Sequence, residues 1–272
     1  MPVLVGLAGT WKLSVEIEIV ADDVSKCLIN TTMDKDLEFL SKCSNEQLQT
    51  LADAIAFDEK EQKRSHETLT TRKNYILYYP NDMRKLIPDI VDELALFGGN
   101  TIHNRVRGHG VSYRKILEDV CKINKVKFND FNSVEEIENF LLRKVLLVAV
   151  EDMNMDDVKH ISDQINSKED LNKLINTGKM LSPVLIRLTT VMVYKMLSKL
   201  GVKIAAEFVL KFAGSKFFTV FTGPVGWVIG GLWTIYDLLG PSYKVTFPCT
   251  ILIAYYRVIS QKNEDELKEI LS

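Results

Sequence analysis

A run of 20 residues without a charged side chain, Phe217–Tyr236, limits what this chain can fold into more than any other feature. A helix needs about 20 apolar residues to cross the hydrocarbon core of a bilayer, so the run must be buried in a protein core or in a membrane. Gly223-Pro224 interrupts it and places a helix start at the proline, which leaves a helix of about 16 residues. Core helices are also apolar on all sides, so both interpretations stay open.

The run continues into a second apolar stretch, and the two together predict a helical hairpin over residues 217–256. The second arm, Val245–Tyr256, has twelve uncharged residues, which are too few to span a bilayer. Gly226 and Gly230 are four residues apart, so a helix places them on one face, where another helix can approach closely. The residues predicted to form this membrane or packing hairpin are Gly223, Pro224, Gly226, Trp227, Gly230, Gly231, Trp233, Asp237 and Pro241.

From Asp34 onward the local signals are helical, and they predict an all-α fold, a multi-helix bundle of about ten helices. Two capping boxes, Ser44 with Gln47 and Ser133 with Glu136, mark helix starts, and glycines mark helix ends. A proline disfavours the helical conformation of the residue before it, so residues 243–247, which precede Pro248, are expected to be extended. The predicted helices are 34–42, 44–57, 82–97, 100–107, 112–125, 133–150, 155–165, 168–177, 183–213 (starting at Ser182-Pro183, with a break near Gly201), 224–239, and a last one after Pro248.

The start of the chain differs from the rest. Leu13, Val15, Ile17 and Ile19 alternate with polar residues, which predicts a half-buried strand. A lone strand is marginally stable in water, and Met33 follows closely, so the segment is interpreted as a small β appendage or a misassigned start. The predicted division is 1–33 as this segment, 34–177 as an acidic helical domain, 178–260 as a basic apolar helical domain with the glycine-rich hairpin, and 261–272 as a polar tail.

The two predicted helical domains differ sharply in charge. Residues 178–260 contain nine basic and two acidic side chains, a net charge of +7, which leaves −9 for the rest of a chain whose net charge is −2. The overall charge argues against a general nucleic-acid-binding protein. The local positive charge predicts an anionic membrane surface or a protein as the partner.

Cysteine usage and missing motifs limit the chemistry that the sequence predicts. The four cysteines lie far apart, which is typical of reduced thiols in the cytoplasm rather than of disulfides or a zinc site. No basic region of a signal peptide precedes the first apolar residues. A location in the cytoplasm is therefore expected, with attachment to the periphery of the inner membrane as the open alternative. No catalytic residue, metal site or cofactor is expected, because no nucleotide-binding, zinc-hydrolase or serine-hydrolase motif occurs.

A second informative stretch, Phe97–Val120, combines glycines and arginines around a predicted helix start. Ser112 can cap a helix that begins at Tyr113, and free amides there, with arginines nearby, can bind an anion. In a purely structural alternative, the glycines permit a close helix crossing and the arginines pair with acidic side chains. The acidic residues available for this pairing are Glu93, Glu118 and Asp119. The candidate anion- or partner-binding residues are Arg105, Arg107, His109, Gly110, Tyr113 and Arg114.

Three segments resemble the bacterial YaaW family of uncharacterised proteins: Asp36–Ala52, Phe97–Lys122 and Thr222–Arg257. Their order and spacing extend over nearly everything from Asp34 to Arg257. The central segment is also similar to a region of the ubiquinol–cytochrome c chaperones, which implies a role in assembling a membrane protein complex. The YaaW family carries no established activity, so this resemblance implies no mechanism.

The sequence therefore predicts a non-enzymatic binding or interaction protein that associates with a membrane through its basic apolar hairpin. One alternative is an assembly chaperone that docks through Phe97–Lys122. The other is an enzyme that acts on a phosphorylated ligand at the Arg105–Tyr113 turn. The expected partners are a protein or an anionic membrane surface, and no nucleic acid.

Overall fold

The computed structural model describes residues 34–98, 110–151, 153–200 and 240–271 of the chain. Within these ranges the fold is all-α, as predicted. The described residues form no sheet, and one isolated antiparallel bridge joins Phe57 to Lys63. The predicted β appendage and the predicted helices 100–107 and 224–239 lie outside these ranges, as does the part of helix 183–213 beyond Leu200.

Ten α-helices and three 3-10 helices are present among the described residues. In chain order the α-helices are α1 (Asn45–Ala56), α2 (Lys73–Tyr78), α3 (Ile87–Phe97), α4 (Tyr113–Ile123), α5 (Val134–Glu151), α6 (Met155–Ile161), α7 (Lys168–Thr177), α8 (Pro183–Lys199), α9 (Pro241–Ile259) and α10 (Glu264–Leu271). The 3-10 helices are Lys35–Lys42, Leu69–Thr71 and Met83–Leu86.

Both predicted capping boxes are confirmed. At the start of α1, the Gln47 amide donates to the Ser44 hydroxyl at 3.3 Å and the Ser44 amide donates to the Gln47 side chain at 2.8 Å. Ser133 and Glu136 form the same reciprocal pair at α5, at 2.8 and 3.2 Å. Each pair satisfies two amides that a helix start leaves without a partner. Ser182 precedes α8 as predicted, but its buried hydroxyl has no hydrogen-bond partner among the described residues.

The predicted extended segment before Pro248 is wrong, because α9 runs without a break from Pro241 to Ile259 and contains Pro248. A proline inside a helix costs about 3 kcal/mol. Burial of a large apolar side chain contributes about 1.5–3 kcal/mol, and α9 buries most of its side chains, including Phe247 and Tyr255. The packing of the whole helix therefore outweighs the local preference of the residue before the proline.

Helix α9 is the central element of the described core. It packs against α1, α3, α4, α5 and α8, and Val245, Ile251 and Leu252 on it are fully buried. One hydrophobic core of the described residues extends from Leu37 to Leu271. The division near residue 178 stays a prediction, and this core extends across it. The predicted polar tail contains α10, whose Ile270 and Leu271 are buried.

Helices α8 and α9 precede and follow residues 201–239 in sequence. Contacts between helices place the end of α8 and the start of α9 at the same end of the bundle. Helices α5 and α9 run antiparallel, because Glu138 near the start of α5 contacts Arg257 near the end of α9. Arg187, in the second turn of α8, donates to the carbonyl of Ile270 in α10, which follows the end of α9, so the start of α8 lies near the end of α9. The end of α8 and the start of α9 therefore lie together, and we call this region the junction end.

Three buried thiols predict that the fold loses stability at alkaline pH. Burial raises the pKa of Cys43, Cys121 and Cys249 to about 12, against about 8.5 for a thiol in an unfolded chain. Stability from the protonated thiols is thus fully present below about pH 8.5 and is lost as the pH rises towards 12. We expect the urea midpoint to fall steadily between pH 8 and pH 11. An unchanged midpoint would contradict this. In the variant Cys27→Ala, only the three buried thiols remain, and their reaction with a thiol reagent in the folded protein at pH 8 would also contradict it.

Candidate functional site

The polar side chains that connect most elements of the described core meet where α9 ends and α4 and α5 begin. Tyr113 is the first residue of α4, Glu138 lies in the second turn of α5, and Arg257 lies in the last turn of α9. Tyr113 and Glu138 are each 1% exposed, and the Arg257 side chain is 12% exposed. We call these three residues the Arg257 cluster.

Short contacts connect the cluster internally and to the N-terminal 3-10 helix. Arg257 Nε donates to Glu138 Oε2 at 2.6 Å, and the Tyr113 hydroxyl donates to Glu138 Oε1 at 2.7 Å. Arg257 Nη2 lies 3.3 Å from Glu138 Oε1 and donates to the carbonyl of Asp36 at 2.5 Å. The guanidinium also lies 4.0 Å from the ring centre of Phe39. The cluster thus joins four elements through one buried ion pair.

The electrostatics of the cluster fit a structural role. Burial raises the pKa of Glu138, and the Arg257 guanidinium and the Tyr113 hydroxyl oppose this. Desolvation acts to lower the pKa of Arg257, but the Glu138 carboxylate more than compensates and the pKa is raised. Burial, reinforced by Glu138, raises the pKa of Tyr113 well above its ordinary value, so the phenol remains a donor. Three contacts to one carboxylate offset the cost of burying its charge, and they occupy the groups that catalysis would need.

Half of the predicted anion-binding turn is described. Arg105, Arg107 and His109 lie outside the described residues. The amide of Tyr113 donates to the carboxylate of Asp34 at 2.7 Å, so this chain itself supplies an anion at the start of α4. A phosphorylated ligand at that amide would have to displace Asp34.

Gly110 and Arg114, which belong to the same predicted turn, make structural contacts. A Cβ atom at Gly110 would lie 2.5 Å from the carbonyl carbon of Ala95, so the chain can approach α3 here only without a side chain. Arg114 Nε donates to Glu118 at 3.0 Å, which is a pairing that the structural alternative predicts. Binding at the turn stays a prediction.

The residues of the predicted hairpin divide into two groups. Those from Gly223 to Asp237 lie outside the described ranges, and Pro241 is the first residue of α9. The second arm, Val245–Tyr256, lies within α9, in the centre of the core. This arm is therefore a packing element.

Sequence reasoning missed the Arg257 cluster, although it named Tyr113 for another role, and it named Glu93 only as a possible partner of the arginines in Phe97–Val120. The Glu93 carboxylate is fully buried and accepts hydrogen bonds from the amide and hydroxyl of Thr68, at 2.7 and 2.5 Å. Arg72 Nη2 contacts it at 2.9 Å. The available signal was an acidic residue within the apolar repeat of a helix, which is costly to bury unless it is paired.

No metal site can be assembled from the residues in the described ranges, because no group of three or more His, Cys, Asp or Glu side chains there could hold a metal ion. Cys43, Cys121 and Cys249 are buried free thiols. The described part of the chain is therefore an all-α protein whose buried charged groups join helices.

Comparisons with known proteins identify the family of this helical protein. A family model described as "Domain of unknown function (DUF3944)" matches residues 33–65, a range that contains the first 3-10 helix and α1. A UPF0174 protein of Helicobacter pylori strain J99 is 32% identical over 248 residues, which are 87% of this chain and 96% of the relative. The UPF0174 protein YaaW of Escherichia coli K12 is 31% identical over 236 residues, 84% of this chain and 96% of YaaW.

The chain belongs to the UPF0174 family, which confirms the resemblance to YaaW inferred from the three motifs. No solved structure matches it. The similarity of the central segment to ubiquinol–cytochrome c chaperones stays a prediction.

We predict that Glu138→Gln destabilises the fold by about 3 kcal/mol, because it removes the buried carboxylate partner of Arg257 and leaves only the largely exposed Glu135, at 3.6 Å. Tyr113→Phe, which removes one hydrogen bond to the carboxylate, should cost about 1–2 kcal/mol. Urea unfolding followed by circular dichroism measures both changes. Glu118→Gln is the matched control, because its pair with Arg114 is partly exposed, and we expect less than about 1 kcal/mol. Equal effects for Glu138→Gln and Glu118→Gln would show that the Arg257 cluster is not a central support.

Proposed function

We propose that the protein is a non-enzymatic binding protein that attaches to an anionic membrane surface through residues 201–239. One observation carries the proposal: an uncharged run, Phe217–Tyr236, lies between two helices that pack against each other in the same core. The flanking α8 and α9 supply the folded support.

The packing of α8 against α9 limits how such a segment can contact a bilayer. The Thr190 and Tyr255 hydroxyls are 3.0 Å apart across this interface. A single membrane span between the helices would place them on opposite sides and separate them. Two spans need about 40 apolar residues, which exceeds the length of 201–239. The contact that fits is therefore a segment lying in the interface and returning on the same side.

The burial of α9 narrows the segment available for lipid. No helix among the residues that the structure describes is long and apolar enough to cross a membrane. Since Val245–Tyr256 is in the core, the proposed contact is limited to 201–239. This segment includes the residues of the predicted hairpin from Gly223 to Asp237. Trp227 and Trp233 lie within this range, and tryptophan favours the boundary between lipid and water.

The charge distribution supports an anionic surface as the partner. Lys203, Lys211 and Lys216 precede the uncharged run. Each lysine near an anionic leaflet contributes about 1 kcal/mol to binding. A peripheral location at the inner membrane follows from this proposal.

A protein partner is the second candidate, and a specific loop favours it. Phe131 is 99% exposed, in the loop between α4 and α5. Arg114, one of the predicted partner-binding residues, donates to the carbonyls of Asn132 and Asp130 at 3.0 and 3.2 Å. Arg114 thus holds a loop that presents an aromatic side chain, which is a common anchor in protein interfaces. An assembly role would use this surface next to α4.

We predict that the purified protein floats with vesicles that contain phosphatidylglycerol at low salt, and not with vesicles of phosphatidylcholine alone. The double variant Trp227→Ser/Trp233→Ser should lose most of this binding, because it removes both interfacial aromatic side chains. Trp11→Ser is the matched control and should float like the wild type. Wild-type protein that stays at the bottom of the gradient with both vesicle types would contradict the proposal and favour a protein partner at Phe131.

A further inference from the structure

We propose that the end of α4 and the loop that follows it, residues 122–127 (the loop, below), form a second point of contact with the anionic lipid surface, through Lys122, Lys125 and Lys127. This inference rests on the proposed function and deepens it, because it names the side chains that meet the lipid headgroups. None of these residues belongs to the uncharged run or to the predicted anion-binding turn.

The position of the loop is fixed by a buried contact to the start of α9. Asn124 Nδ2 lies 2.7 Å from the hydroxyl of Tyr243 and donates to the carbonyl of Val120, also at 2.7 Å. Asn124 and Tyr243 are 3% and 6% exposed. Tyr243 is in the first turn of α9, close in sequence to the segment 201–239. The loop therefore lies at the junction end, and a bilayer that contacts 201–239 also comes close to the loop.

The side chains of the loop suit a surface of anionic headgroups. Lys122, Lys125 and Lys127 are exposed. The Lys122 ammonium, on a side chain that is 59% exposed, lies 3.8 Å from the carboxylate of Asp119. Neither Lys125 nor Lys127 has an ion pair with any residue in the described ranges. Ile123, 36% exposed, lies between the lysines in sequence. Lysines that surround an exposed apolar side chain are typical of surfaces that bind anionic membranes.

The backbone at Lys125 allows a variant that removes a lysine without loss of stability. Lys125 has φ 55°, in the left-handed region. Its amide donates to the carbonyl of Lys122 at 3.1 Å, and the amide of Val126 donates to the carbonyl of Cys121 at 2.9 Å. These two bonds form the motif that ends many helices, and its left-handed position is usually glycine. A lysine there is less stable than a glycine would be, so a change to glycine should not weaken the fold.

Vesicle partitioning of a triple variant tests the loop directly. Each lysine close to an anionic leaflet strengthens binding about fivefold, so Lys122→Gln/Lys125→Gln/Lys127→Gln should weaken partitioning into phosphatidylglycerol vesicles roughly 100-fold. The control Lys35→Gln/Lys42→Gln/Lys268→Gln changes the net charge equally, at exposed positions near the other end of α9, and should lose less than about fivefold.

The single variant Lys125→Gly separates binding from stability. Relief of the left-handed backbone should raise Tm by about 2–4 °C, while partitioning falls about fivefold. His66→Gly, at an exposed residue with φ 72°, gives the same backbone relief without loss of a lysine, and its partitioning should stay unchanged.

The outcomes distinguish this inference from the proposed function. If the wild type floats and the two triple variants partition equally, or if Lys125→Gly binds like the wild type, the loop does not contact lipid and the proposed function stands. If the wild type does not float, the proposed function fails and the inference fails with it. A loss of binding specific to the loop variants, in folded protein, supports it.

Discussion

The ion pair between Glu138 and Arg257 is the interaction on which the rest of this structure depends. It joins the end of α9 to the start of α5, while Tyr113 and the Asp36 carbonyl attach α4 and the N-terminal 3-10 helix to the same point. A buried charge is tolerated only where its hydrogen bonds are made inside the protein. This requirement fixes how far α9 can slide along its neighbours, because a shift of one turn would separate Arg257 from Glu138 and leave that buried carboxylate without its cationic partner.

The position of α9 then determines which surfaces are available for binding. Because its side chains from Val245 to Tyr256 fill the core, this second arm of the predicted hairpin is not available to a partner. Because α8 and α9 pack together, the described residues on either side of 201–239 lie at one end of the bundle. The loop with Lys122, Lys125 and Lys127 lies at that end through the contact between Asn124 and Tyr243. The proposed lipid-binding segment and these lysines are therefore joined to the same end of the described core.

Local signals in the sequence predicted the local structure. They could not predict ion pairs between residues that are far apart in the sequence. The Ser44 and Ser133 capping boxes depend on residues three positions apart, so their patterns were sufficient. Glu138 and Arg257 are 119 positions apart, and neither has a neighbour in sequence that indicates the other. The prediction of an extended segment before Pro248 was wrong because it considered only the local backbone preference and not the burial of the whole helix. Helix α2, with six residues, is too short to show a helical repeat.

Hydrogen–deuterium exchange with and without anionic vesicles tests the central claim most directly, namely that α9 is a core helix and only the junction end contacts lipid. We predict that amides of residues 245–256 exchange slowest in the free protein and do not change when vesicles are added. Amides of 201–239 and 122–127 should become protected. Faster exchange in α9 on vesicle binding would contradict the account, because it would mean that the helix leaves the core to enter the membrane.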